Sequence, residues 1–445
     1  MASKKQSVVN EELKNADLMT ILSNGGTSSV FKKQKLIDYS YMTGISVIDY
    51  ALGYEVLVKE NKIVIKKRTC LGLQAGSINV ITGVTGTYKS TLGELISANI
   101  AKKYDGNAVH YDVENRLVLQ RLKQITKLGD DWFEGEFPRY ALKGGAIGYD
   151  TLQNDITEIY LNKMSHKDIL EKDTGEVDEN NKPIILMPPT VIFLDSISDV
   201  IAKEYDVNDK KAMAGVDELR SNTYGMQAAK TLRGVLTDIL PMLKEANIIL
   251  LLIAHKSDNV SMNTFTPPKK QFTYGKVSEK IAGGKALEYN ASSFLNFSPE
   301  HSQDLRFHID TDGFEGNAIL FEPTKISTNE SGDEKSGRAF RIIIDKRNNG
   351  CDNIRTLIEL LKAKGRLKGN RAGWVVLNRN GEPISDKFTW KNVYKEFENN
   401  RKLCKTFMQA AKEELEEYIA KAEDVAGQIK PFDLNEMLND IPDEE

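Results

Sequence analysis

Five short apolar runs rich in β-branched residues punctuate this chain: INVIT at 78–82, AVHY at 108–111, TVIFL at 190–194, NIILLLIA at 247–254 and FRIII at 340–344. A strand buried on both faces needs such a continuous run, because neither face can carry polar side chains into the core. Segments of helical period lie between the runs. Strands alternating with helices pack as a mostly parallel sheet flanked by helices, so the expected fold class is α/β, spread over roughly residues 41 to 345. With 445 residues, 40% of them hydrophobic, the chain can bury one large core and leave smaller elements at either end.

Outside this alternation the sequence changes character. Residues 8–23, VVNEELKNADLMTILS, have a helical pattern, and the polar GGTSSVFKKQK that follows reads as a linker, so 1–40 forms an N-terminal arm suited to subunit contact. The charged, Pro-containing stretch from Met164 to Pro189 is expected to be a surface insertion. After Asp345 the chain turns basic, then helical, then acidic, which sets off a small C-terminal α+β region; the division is drawn as 41–358 for the core and 359–445 for that region. The formal charge of −4 hides an asymmetry: residues 413–445 hold twelve Asp or Glu against two Lys, leaving 58 basic and 52 acidic residues elsewhere. A mildly basic body with an acidic tail suits a nucleic-acid binder, and equally a protein whose tail only aids solubility. No run reaches the roughly 18 apolar residues of a membrane helix, and the first residues lack a secretory apolar stretch; a cytoplasmic protein is expected. Cys70, Cys351 and Cys404 are too scattered for a disulfide framework or a zinc site.

The chemistry-bearing signals stand at the ends of the runs. After INVIT come Gly83, Val84, Thr85, Gly86, Thr87, Tyr88, Lys89, Ser90 and Thr91, then a helix with Leu92, Leu95, Ile96 and Ile100 on one face. Strand, glycine-rich turn, Lys-Ser and helix form a phosphate-binding loop: backbone N–H groups cradle phosphates, Lys89 reaches the β and γ phosphates, and the Ser90 hydroxyl can ligate Mg²⁺. Tyr88 stands where that pattern wants glycine, so its side chain must point away from the phosphates or reshape the loop. After AVHY come Asp112-Val113-Glu114, and Glu114 is the candidate base that orients an attacking water. TVIFL ends in Asp195-Ser196; a carboxylate at the end of a buried strand is costly without a cation, and Mg²⁺ would resolve it. Together the three signals, in this order, point to an enzyme that hydrolyses a nucleoside triphosphate.

A further loop, 256–283, interleaves Lys269, Lys270, Lys276 and Lys280 with Phe265, Phe272 and Tyr274. Lysines track phosphates while aromatics stack on unpaired bases, and its length and Pro267-Pro268 suit a segment that orders on DNA.

These stretches resemble a known family. GISVIDYALG at 44–53, LQAGSINVITG at 73–83 and AGGKALEYNAS at 282–292 are similar to segments of the RecA-class strand-exchange recombinases, across about residues 40–350. The aromatic residue before Lys89 and the stretch GRLKGNRAGWVVLNRNGEPISDKFTWKNVYKEF at 365–397 resemble the UvsX-type recombinases of bacteriophages in particular. The resemblance implies a RecA-like ATPase core using ATP and Mg²⁺. It implies that His255, at the end of the fourth run, senses the γ-phosphate and relays its presence to the loop that follows. It also implies a first DNA loop over about 204–223, with Lys210, Lys211 and Arg220. Lys346 matches a cation that reaches ATP on a neighbouring subunit; the second such position holds Asn348, with Arg347 one step early. The implied partners are single- and double-stranded DNA, other copies of the chain in a helical filament, and single-strand-binding and mediator proteins. Two alternatives stay open: a hexameric replicative helicase of the same nucleotide fold, and a recombination accessory protein that holds ATP without turning it over.

Overall fold

In the computed structural model of the chain, the described residues are 37–61, 63–145, 147–200, 221–258, 270, 278–300, 315–326, 339–345, 350–370 and 372–422. Residues 1–36 of the expected N-terminal arm and most of the acidic tail lie outside them.

A ten-stranded sheet organises the molecule. Its strands in chain order are β1 (Ile78–Gly83), β2 (Asn107–Asp112), β3 (Tyr140–Gly144), β4 (Thr190–Asp195), β5 (Ile248–Asp258), β6 (Glu279–Ile281), β7 (Ser293–Pro299), β8 (Gly316–Ile326), β9 (Phe340–Asp345) and β10 (Gly350–Cys351). In space the order is β10-β9-β8-β7-β1-β5-β4-β2-β3, with β6 pairing the far end of β5. The six strands from β7 to β3 are mutually parallel. The other pairings, β7–β8, β8–β9, β9–β10 and β5–β6, are antiparallel.

All five apolar runs are strands, and the two-sided burial that their continuity requires is present. In β4, Val191 and Phe193 join the apolar cluster on one face, while Ile192 and Leu194 join the cluster on the other. The first cluster is capped by helix α1 (Lys89–Lys103), whose Leu92, Ile96 and Ile100 are fully buried. It comes so close to the sheet that a Cβ on Gly93 would lie 2.2 Å from the Phe193 ring. The second is covered by α2 (Tyr149–Ser165) and α3 (Ser221–Glu245); in α3, Leu232, Leu236, Ile239 and Leu243 recur at helical spacing. The run FRIII differs from the rest by lying in the antiparallel half. A continuous apolar run specifies two buried faces and leaves strand direction open.

The insertion from Met164 to Pro189 holds a two-stranded hairpin, Lys172–Val177 with Pro183–Leu186. At the C-terminal side, helix α4 (Asn353–Ala363) packs on β9, and helix α5 (Arg401–Glu416) packs on α4. Leu357, Ile358, Phe388, Leu403 and Phe407 belong to the same apolar cluster as Ile342 and Ile343, and the division drawn between 358 and 359 falls inside α4. No helix among the described residues is long and apolar enough to cross a membrane.

Candidate nucleotide site at the carboxyl ends of the parallel strands

In open parallel sheets, ligands bind beyond the carboxyl ends of the strands, where loops diverge. Register brings the expected residues to that edge. Gly83 of β1 pairs with His255 of β5, and Asp195 of β4 pairs with Asp112 of β2. Glu114 follows two residues after β2, and the Val113 N–H donates to the Asp195 carbonyl at 3.0 Å.

The turn between β1 and α1 is shaped by close approach. A Cβ on Gly83 would sit 2.3 Å from the Phe297 carbonyl oxygen of β7, so no larger residue fits that backbone. Val84, Thr85 and Gly86 are exposed at the tip. The Thr87 hydroxyl and the Lys89 ammonium both donate to the Val84 carbonyl, each at 2.8 Å, which closes the turn upon itself. Lys89 is only 6% exposed. Burial pushes its pKa below the ordinary lysine value, while the Asp195 and Glu114 carboxylates push it back up. Tyr88 points away from the tip, as an aromatic there must: its ring packs against the apolar cluster under α1, and its hydroxyl accepts a 2.5 Å hydrogen bond from the Asn317 amide of β8.

Across the edge, Ser90 hydrogen-bonds the Asp195 carboxylate. Burial raises the Asp195 pKa above the usual carboxylate value; Ser90 opposes this, and nearby Glu114 adds to it. The Glu114 carboxylate lies 3.3 Å from the His255 Nε2 and 2.9 Å from Arg116. Ligand atoms of Glu114, Asp195 and His255 lie within 4.8 Å of one another. The half-buried Ser90 hydroxyl and Asp195 carboxylate offer oxygens only, the donor type that a hard cation such as Mg²⁺ takes.

The described residues that lead towards both expected DNA loops lie at this edge. The His255 N–H donates to the Ser198 hydroxyl at 3.4 Å, just before the 201–220 segment. Beyond His255, β5 continues into a ribbon with β6 that pairs Lys256 with Ile281 and Ser257 with Lys280, and the Ala282 N–H donates back to the His255 carbonyl. Lys270 and Lys280 are exposed. Lys210, Lys211, Arg220, Phe265, Lys269, Phe272, Tyr274, Lys276 and Lys346 lie outside the described residues.

Sequence reasoning overlooked a buried polar group behind the loop. Glu94 of α1 is 4% exposed with an unpartnered Oε2, and burial lifts its pKa to about 8. His110 of β2 is 2% exposed; neither ring nitrogen has a partner, and burial lowers its pKa to about 4. A mid-helix glutamate on the face of Gly93 and Ser97 could have signalled this, since those neighbours are small because the sheet is close. Compared with known proteins, the chain matches no family model and none of the curated proteins.

Proposed function

We propose that this chain is an ATP-dependent DNA strand-exchange recombinase of the RecA class, most similar to the UvsX type. The observation that carries the reading is the convergence of Lys89, Ser90, Asp195, Glu114 and His255, from four separate strand ends, on one sheet edge. A lone glycine-rich turn can arise by chance. One that meets two half-buried carboxylates has the parts of a phosphoryl-transfer site.

In this reading Lys89 exchanges the Val84 carbonyl for phosphate oxygens, whose negative charge its ammonium balances. Ser90 and Asp195 would hold Mg²⁺, which when bound supplies further neutralisation of the phosphates. Glu114 orients a water and takes its proton as the water attacks the γ-phosphorus, the bond to the β–γ bridging oxygen breaks, and ADP leaves. His255 touches Glu114 through its ring and Ala282 through its carbonyl, so it can link the nucleotide's state to the loop between β5 and β6. With ATP bound, the loops at 204–223 and 256–283 would hold single-stranded DNA and pair it with a homologous duplex; hydrolysis would release it. Lys346 would act across the subunit interface.

Electron microscopy of the full chain with single-stranded DNA and a non-hydrolysable ATP analogue tests this. Helical filaments are expected. Closed rings would favour the hexameric helicase, and unassembled chains on DNA the accessory protein.

A further inference from the structure

The aromatic residue in the phosphate loop has a partner 229 residues away. Tyr88 precedes Lys89 with φ 59° and ψ 26°, a left-handed conformation that glycine enters freely and other residues keep only when their surroundings hold them. Here two contacts do the holding: the ring packs on the cluster beneath α1, and the hydroxyl accepts from Asn317. Asn317 is the second residue of β8 and pairs with Ile344, the penultimate residue of β9. Strand β8 runs antiparallel to β7, and Phe297 of β7 pairs with Gly83. The start of β8 and the end of β9 therefore lie at the same end of the sheet as the phosphate loop. The chain leaves β9 there, one residue before Lys346.

We propose that Tyr88 and Asn317 form a positioning pair that holds the residue before Lys89 in its left-handed turn and fixes the loop to the β8–β9 edge. The inference rests on the nucleotide-binding reading above. Glycine at this position permits the turn among many conformations; an anchored tyrosine selects it before ligand arrives. The backbone N–H groups and Lys89 are then aimed at phosphate without a further loss of conformational freedom on binding. Apparent affinity scales with the fraction of molecules already in the competent conformation. The hydroxyl contact thus contributes to binding nucleotide and leaves the chemical step alone, because it touches no reacting atom.

The test uses Tyr88→Phe, Asn317→Leu and the double variant in the full chain. A fluorescent ATP analogue with Mg²⁺ is titrated for Kd, and single-stranded-DNA-stimulated hydrolysis gives KM and kcat. Each single variant is expected to raise Kd and KM by roughly 2- to 12-fold, the worth of one hydrogen bond, with kcat unchanged. The double variant should be no weaker than the weaker single one, because the two side chains serve one contact. A folding defect would instead lower kcat by reducing the active fraction. Wild-type affinity in Tyr88→Phe, effects that add in the double variant, or a fall in kcat at constant KM would each overturn the pair. Failure of the unsubstituted chain to bind nucleotide would remove the ATPase reading, and this inference with it. Binding by that chain with no change in the variants would remove the pairing alone.

Discussion

Two of the regions that bury charged residues in this molecule treat them differently. In the C-terminal region they satisfy each other. Asp352 caps α4 by accepting from the Arg355 N–H, takes a second bond from the Arg355 guanidinium at 2.7 Å, and accepts from the Tyr394 hydroxyl at 2.7 Å. Arg366 likewise reaches Glu414, Glu413 and the Leu377 carbonyl. At the carboxyl ends of the parallel strands three acids, Asp112, Asp195 and Glu114, crowd together. Asp195 is half-buried near Asp112 and Glu114, its pKa is raised, and its hydrogen-bonding neighbour is the neutral Ser90. Lys89 spends its ammonium on a backbone carbonyl of its own turn. Paired charges of the first kind hold a structure together. Crowded acids beside a buried lysine cost stability and persist where something outside the chain completes them.

That contrast predicts opposite consequences for substitutions of similar chemistry. Lys89→Ala should abolish ATP turnover, and Glu114→Gln should slow it by roughly 10²- to 10⁴-fold, the usual worth of a general base, while nucleotide still binds. Glu114→Gln should not lower the thermal midpoint, since it removes one of the crowded acids, whereas Lys89→Ala should lower it slightly by removing their cation and the bond that closes the turn. Steady-state hydrolysis beside differential scanning fluorimetry reads both quantities. Full turnover in Glu114→Gln would strip that residue of its role.

Asp352→Ala is the reciprocal experiment. It leaves the Arg355 guanidinium without its carboxylate in a site where both residues are under a tenth exposed, and it removes a helix cap. A loss of about 3–5 kcal/mol is expected on urea unfolding. Nucleotide affinity per folded molecule should stay as it was. If affinity falls with stability, the two regions are not independent and the distinction between them fails.

Much of this contrast could be read from the sequence, for a physical reason. The apolar runs ending in Asp112, Asp195 and His255 announce both a buried strand and the place where burial stops. The strands Tyr140–Gly144 and Ser293–Pro299 went unread because YALKG and SFLNFSP mix polar and apolar residues in no strand period. They are strands because their neighbours in the sheet supply the hydrogen bonds. Nothing local could reveal that Asn317 meets Tyr88, or that Arg355 meets Tyr394, since only the closed sheet and the packed C-terminal helices bring them together. Glu94 was hidden by the same circumstance: a glutamate in a helix reads as solvated until the sheet beneath it is placed.

Glu94 also sharpens the comparison, being an unpaired acid of the parallel half that faces the core. Its folded pKa of about 8 lies above the ordinary 4.5. The folded state therefore binds more protons than the unfolded state between these values, and stability falls as pH rises from about 4.5 to 8. The slope has an upper limit of about 1.4 kcal/mol per pH unit. In Glu94→Gln that contribution disappears, so the variant should gain on the unsubstituted chain steadily from pH 5 to 8. His110, with a depressed pKa of about 4, acts in the opposite sense: its contribution is present above about 6.5 and lost as pH falls through 4. Comparing the two chains at each pH cancels it. A difference in midpoint that does not grow with pH would mean that Glu94 is already ionised and solvated.

The smallest effect concerns the acids that leave the paired region. Residues 423–445 carry eight Asp or Glu and one Lys. Their point of departure is fixed: the Glu55 N–H donates to the Ala420 carbonyl, Lys421 pairs with Glu55 at 2.9 Å, and Lys67 donates to the Ala422 carbonyl. The strand Ile63–Cys70 beside it exposes Lys66 and Lys67. In the proposed recombinase, an anionic segment rooted next to cations would compete with duplex DNA for basic surface, and salt would screen that competition. Truncation after Ala422 keeps every anchoring contact and should strengthen duplex binding by about threefold at low salt, the size of a few screened charge contacts. Replacing Lys269, Lys270 and Lys276 by alanine should act with the opposite sign, weakening single-strand binding and reducing the salt slope by up to about 0.7 per lost phosphate contact. Affinities for both DNA forms across a salt series separate the two. A truncated chain that binds duplex no better would make the tail a solubility device, and a lysine variant with its slope intact would move the DNA phosphates away from that loop.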